Sequence, residues 1–202
     1  MQPQAQYNLR TGEGAYVNGN YSGLITGVTT GSATNGHLWA CRFATPAAGP
    51  DRRAFAVIQR LRIRGFTITG YTAAQEVLLT LFRLTAYTGA HSAGTALAPQ
   101  KKRASAPAPL MTGQIANTGQ LTAGTQTLGT DPIRSAAFAE LAAAATVPKG
   151  SVEIFMSTED LAEHPIILAN NEGLLVRNEI AQGAGGTMRL AVEVDWLEVV
   201  RY

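Results

Sequence analysis

Residues 55–70 read FAVIQRLRIRGFTITG. From Arg60 to Arg64 every second position is arginine, with Leu61 and Ile63 between. A period of two puts Arg60, Arg62 and Arg64 on one face of a strand and the leucine and isoleucine on the other, whereas a helix would scatter the arginines around its circumference. Backwards from there, Phe55 and Val57 share the apolar parity, with Gln59 the exception. Past Gly65 the parity flips to Phe66 and Ile68, so a β-bulge or a sharp bend is expected at that glycine.

Segments of the same β-branched and aromatic character recur at 24–29, 37–44, 77–87, 151–157, 166–180 (broken near Asn171) and 188–202. Glycine, proline and asparagine clusters separate them at short spacing, the pattern of an antiparallel β-sandwich. The last of these strands is the clearest: Met188, Leu190, Val192, Val194 and Trp196 share one face, and Arg189, Glu193 and Asp195 the other. Two hairpins are expected, one turning through Gly183–Gly186 and one through Asn170–Gly173, where asparagine and glycine suit positive φ.

With 202 residues the chain can bury one sizeable core, and a single sandwich domain over 21–202 is expected. Residues 1–20 carry little apolar periodicity and read as an extended N-terminal arm. A stretch at about 89–132, with four prolines and many small polar residues, reads as a long loop excursion with one short pairing around 122–128. The alanine-rich run at 134–150 leaves two readings open, one of them a helix ended by Pro148.

Charged residues make up 15% of the chain, against roughly 25% in ordinary soluble domains. The surface is therefore neutral and polar, which suits partial cover by other subunits. Sixteen basic and fourteen acidic residues are interspersed, giving a formal charge of +2 and no long-range field to steer a polyanion. No nucleic-acid partner is expected. No apolar run approaches a membrane span, no secretory signal is seen, and Met1-Gln2-Pro3-Gln4 reads as an intact cytosolic start. The single cysteine, Cys41, excludes an internal disulfide and a cysteine-based metal cage, and reads as a small apolar strand residue.

Candidate chemistry is sparse. Ala90-His91-Ser92-Ala93-Gly94 resembles the nucleophile elbow of some lipases, but an elbow needs a helix directly after the serine and the prolines that follow forbid one. His37, His91 and His164 lie in different segments without ligand spacing, so each reads as a surface or turn histidine and no metal is expected. The glycine run at 183–186 joins strands and cradles no phosphate. Thr158, Glu159, Asp160 and Glu163 read as a loop or one-turn helix with acids near its start. Neither a catalytic residue nor a cofactor is expected, and the chain is read as a non-enzyme.

What remains is basic surface. Lys101, Lys102 and Arg103 form a trio on the excursion that lacks aromatic stacking partners and reads as a solvated loop. The arginine strand has Glu193 and Asp195 available at the same period, as cross-strand or inter-subunit partners. Exposed pairs contribute only ~0.2–1 kcal/mol each, too little to explain three arginines by stability alone. Arg60, Arg62, Arg64, Lys101, Lys102 and Arg103 are therefore the candidate protein interface.

The segments FAVIQRLRIRGFTITGYTAAQEVLLTLFRLTAYT, LTAGTQTLGTDPI and HPIILANNEGLLVRNEI with GTMRLAVEVDWLEV, in that order, resemble the head decoration (cement) proteins of tailed bacteriophages. The resemblance covers roughly residues 36–202 and leaves the arm unmatched. It implies a jelly-roll-like all-β sandwich and a structural virion protein. Such a protein is made in the host cytoplasm and sits on the capsid outer surface, where it binds the major capsid protein and stabilises the shell. Self-association as a dimer or trimer is expected with it. The other reading is a receptor- or carbohydrate-binding module of a head or tail fibre, for which the two tryptophans, Trp39 and Trp196, look too buried.

Overall fold

The computed structural model describes residues 17–46, 53–140, 142, 151–157 and 165–200. Among the described residues there is no helix, and thirteen strands form two antiparallel sheets packed together as a β-sandwich. The first sheet contains β1 (Val17–Thr29), β3 (Phe55–Thr69), β6 (Gln100–Lys101), β10 (Ser151–Met156), β11 (Ile167–Ala169) and β13 (Thr187–Val199). Its order is β10-β3-β13-β1-β6, with β11 also on β3. The second contains β2 (Gly36–Phe43), β4 (Gln75–Gly89), β5 (Gly94–Ala96), β7 (Met111–Ala116), β8 (Thr125–Leu128), β9 (Arg134–Glu140) and β12 (Glu172–Asn178). It runs β5-β7-β2-β12-β4-β8, with β9 also on β4.

The period of two does what the sequence promises in β13. Met188, Leu190, Val192, Val194 and Trp196 are all buried in the main core, against Trp39, Cys41, Leu79, Leu81 and Leu174 of the facing sheet. Trp39 and Trp196 are both fully buried, and so is Cys41, whose thiol burial pushes up to about 12.

In β3 the parity breaks at a different place from the one expected. Asp195 pairs with Arg60 and Trp196 with Ile58, so Gln59 is the extra residue of a bulge. Ahead of it Ala56 and Ile58 face the main core, while Val57 and Phe55 pack with Leu197 and Val199 on the other side. Behind it Leu61 and Ile63 face the core, and the parity continues unbroken through Gly65 to the buried Thr67. Phe66 is thus outward, in step with the arginines. Gly65 serves packing: a Cβ there would lie 3.0 Å from Val152 and 3.1 Å from Leu79.

Both expected hairpins are crossings between sheets. Asn171 has the positive φ anticipated, at 60°, but its turn carries the chain from β11 in the first sheet to β12 in the second. The Gly183–Gly186 turn likewise links β12 to β13 across the sandwich. Reversal of direction is a property of the turn residues; which sheet receives the next strand depends on where its apolar side finds cover. The helix reading of 134–150 also gives way, because Arg134–Glu140 forms β9, paired along β4 from Leu81 to Gln75. Apart from Ala142, the rest of that run, like most of the expected arm, the acidic cluster at 158–163 and His164, falls outside the described residues. Residues 17–20, counted with the arm, belong to β1.

The excursion is more ordered than a loop. It supplies β5, β7 and β8 to the second sheet and crosses to the first as β6, and the anticipated pairing around 122–128 is the β8 contact with β4 together with a Ser92–Thr122 bridge. One buried network fastens it. Arg53 forms an ion pair with Glu198, and it also donates to the Tyr21 hydroxyl (2.9 Å) and the Ala108 carbonyl (2.8 Å). Glu198 Oε1 accepts the backbone N–H of Leu110 (2.8 Å) and Met111 (3.2 Å) and the Trp196 indole N–H (3.0 Å). Burial pushes the Glu198 carboxyl up, and those N–H groups and Arg53 hold it back.

Candidate functional site

The outer face of the first sheet can be read row by row from its register. Ser22, Asp195 and Arg60 lie side by side across β1, β13 and β3. The next outward row is Leu24, Glu193, Arg62 and Phe155, then Thr26, Ala191, Arg64 and Glu153, then Val28, Arg189, Phe66 and Ser151. Each row follows from the same cause: outward residues recur at every second position of four paired strands.

These rows bring the three arginines of the opening stretch against the acids of β13 and β10. Arg60 Nε lies 2.9 Å from Asp195, Arg64 lies 2.5 Å from Glu193, and Arg62 grips Glu153 with two bonds of 2.9 and 3.2 Å. Lys102 reaches the second oxygen of Asp195 at 3.2 Å. The basic trio and the arginine stripe, read separately in the sequence, therefore meet through one aspartate. Lys101 does not join them: it pairs opposite Tyr21, whose side chain is in the core, and Arg103 is exposed on the turn that its carbonyl closes with the Ala106 N–H at 3.0 Å.

The same face carries every exposed large hydrophobic side chain of the described residues: Leu24 at 62%, Phe155 at 42% and Phe66 at 39%. The guanidinium of Arg62 lies 5.8 Å from the Phe155 ring centre and that of Arg189 5.8 Å from Phe66. Five cations, Arg60, Arg62, Arg64, Lys102 and Arg189, thus stand among three carboxylates and three apolar side chains on one sheet. Interleaved arginine, aromatic and aliphatic groups are the composition of protein-binding surfaces, where arginine and aromatics carry the binding energy.

The outer face of the second sheet is different in kind. There the excursion folds back as a roof, and Ala40, Phe82, Leu84, Tyr87, Ala116, Leu121 and Leu175 make a second buried cluster. Gly173 is required beneath it, since a Cβ would sit 2.0 Å from the Cys41 carbonyl oxygen and 2.9 Å from the Tyr87 ring. Under the roof His91 lies outside the strands, as a turn histidine would, but it is buried rather than on the surface, with Nε2 at 2.8 Å from Nδ1 of His37 and Nδ1 at 2.5 Å from the Tyr87 hydroxyl. The Tyr87 oxygen accepts the His91 backbone N–H at 3.2 Å. Its own proton then serves His91 Nδ1, and His91 Nε2–H serves His37, an arrangement that satisfies all three groups with both imidazoles neutral. Burial, with His37 adding to it, lowers His91 to about 4; burial and Arg177 lower His37.

A cleft of about 320 Å³ opens beside this relay between Tyr87, His91, Leu97, Thr112 and Gln114. Of its polar lining, Tyr87 and His91 bond each other, while the buried Oε1 of Gln114 has no hydrogen-bond partner among the described residues. Ser92 is exposed, its backbone bonds Thr122 at 3.1 and 3.0 Å, and the strand β5 follows it, so the elbow geometry is not formed. No set of three metal-ligating side chains occurs among the described residues. The His37–His91 pairing is invisible in the sequence, because the two are brought together only when the excursion folds over β2. No protein-family model matches the chain, and no curated protein sequence matches it.

Proposed function

We propose that the protein is a structural, protein-binding β-sandwich that docks through the outer face of its first sheet, and that its partner is the major capsid protein of a tailed-bacteriophage head, whose shell it decorates and stabilises. The observation that carries this reading is the asymmetry of the two outer faces. One is roofed by the excursion, while the other presents Leu24, Phe66 and Phe155 among five cations. A partner of matching chemistry is an acidic protein surface with apolar patches. Binding only the assembled shell stabilises that shell by mass action and needs no chemistry at the site. A fibre module that stacks sugars is less well served, because both tryptophans are buried and each exposed phenylalanine has an arginine over its ring.

The test is titration of wild type and of Arg60→Gln/Arg62→Gln/Arg64→Gln onto undecorated capsids. The triple variant keeps its buried faces and its β circular dichroism, and its capsid affinity drops more than tenfold, a decade being ~1.4 kcal/mol. Wild-type affinity in the variant refutes the docking face. Failure of the wild type to bind any capsid refutes the partner.

A further inference from the structure

Strand β1 has an edge that, past Ser22, no strand of the described residues pairs with. Its inner neighbour β13 pairs with it from Val17 to Thr29, but on the other side β6 meets only Tyr21 and Ser22. The remaining stretch, Gly23–Thr29, reads GLITGVT: no charge, no proline, and a regular register against β13 throughout. Strands at the edge of a sheet are normally protected by lysine, proline, bulges or shortness, since their free N–H and C=O groups template further pairing. The other edges of this molecule show such protection. Among the described residues, β10 carries Glu153, β9 carries the exposed Arg134, β6 carries Lys101, and β5, β8 and β11 are only three or four residues long. The open edge of β1 also bears the most exposed large hydrophobic side chain described, Leu24.

We infer that Gly23–Thr29 pairs antiparallel with the same segment of a second copy, about a two-fold axis at Thr26. The sequence of the edge is complementary to itself in that register. Leu24 falls opposite Val28 of the other copy, Thr26 opposite Thr26, Ile25 opposite Gly27 and Gly23 opposite Thr29. On the outer face this covers Leu24 with valine, twice, around a central pair of threonines, and apolar and threonine pairs are favourable cross-strand neighbours. A register centred elsewhere sets Leu24 against a polar or absent side chain, or runs into β6. Nor does charge oppose the union: the acids of β13 in the two copies are three strand spacings apart, ~14 Å, beyond the ~8 Å screening length of physiological salt. The joined sheet runs β3-β13-β1-β1-β13-β3, and it sets two arginine faces side by side. This union does not depend on which partner the arginine face takes.

The full chain is examined by sedimentation equilibrium across concentration, with Cys41 buried and out of the way. The expected result is a dimer that Leu24→Lys and Thr26→Lys each weaken at least tenfold. Both positions are exposed, so the β circular dichroism stays unchanged. In a second arm, Thr26→Cys forms an intermolecular disulfide on mild oxidation, because directly opposed strand residues lie ~4.5–5.5 Å apart, within disulfide reach. Leu24→Cys does not, its two copies being four residues out of register, ~13 Å. A monomer at every concentration, a trimer, a dimer indifferent to both lysines, or a dimer in which Thr26→Cys fails to cross-link each overturns the inference.

Discussion

Arg53 stands just ahead of β3 and Arg64 stands within it, and each ends on a glutamate of β13. Arg53 and Glu198 are both buried, whereas Arg64 and Glu193 are partly open to water, the arginine by 42% of its side chain. The first pair lies at the centre of a network that also satisfies Tyr21, Trp196 and the backbone of Leu110 and Met111. The second is more open: Glu193 holds Arg64 through one oxygen and lies 3.9 Å from Arg60 through the other, with water beside both. Identical ion chemistry therefore has two uses. In the buried network it fastens the excursion to the sandwich; on the open face it organises side chains that a partner can still reach.

The buried network is where substitution costs most. Glu198→Leu takes a buried carboxylate from Arg53 and an acceptor from three N–H donors, and breaking a buried pair in this way costs ~3–5 kcal/mol. Urea denaturation checks it. Adding Arg53→Met to Glu198→Leu removes the cation as well, yet recovery stays partial, because the N–H groups of Leu110, Met111 and Trp196 still lack the carboxylate at ~1–3 kcal/mol for each unsatisfied group. A double variant as stable as wild type would show that Glu198 serves Arg53 alone, and the contrast with the open face would lose its basis.

How much of this contrast could be read in the sequence depends on periodicity. The stripe announced itself, because three arginines at a period of two need a wet face, and β13 displayed its acids at the same period. Arg53 gives no such signal, lying in DRRAF ahead of the strand, and Glu198 is an acid at the inward parity of Val194 and Trp196 whose buried partner periodicity does not name. Gln59 was the clue: a polar residue at an apolar position marks the extra residue, and the flip assigned to Gly65 belongs there. MTGQIA and RSAAFAE carry little strand signal, because they hold few β-branched residues and take their conformation from β2 and β4 beside them. The two crossings and the His37–His91 pair are set by topology, which local sequence does not encode.

The roofed side offers a smaller effect, of intermediate burial. His91 is held at about 4, below its ordinary 6.5, so between those values the unfolded chain binds more protons than the folded one. Stability therefore is fully present above pH 6.5 and declines as pH falls toward 4. His37, also lowered by burial and by the nearby Arg177, adds to the decline in the same direction. Thermal unfolding of His91→Gln, followed from pH 7 to pH 4, loses less of its midpoint than wild type does over the same interval. Parallel curves would place the acid sensitivity elsewhere.

The smallest effect is the one that sharpens the comparison most. A double-mutant cycle on Arg64 and Glu193, using Arg64→Gln and Glu193→Gln, is expected to give a coupling of ~0.2–1 kcal/mol, and that coupling shrinks as salt is raised because water and ions reach both groups. The same cycle on Arg53 and Glu198 returns a coupling several times larger that salt leaves unchanged, since no counterion reaches a pair without exposed surface. If the Arg64 coupling proves as large and as salt-resistant as the buried one, Arg64 is already committed to holding the sheet together and has little left to offer a partner. A small, salt-sensitive value means that the guanidinium can exchange Glu193 for a carboxylate on another protein at little cost. That exchange is what an interface on this face requires, and the stripe's weak contribution to folding is then the condition for its binding.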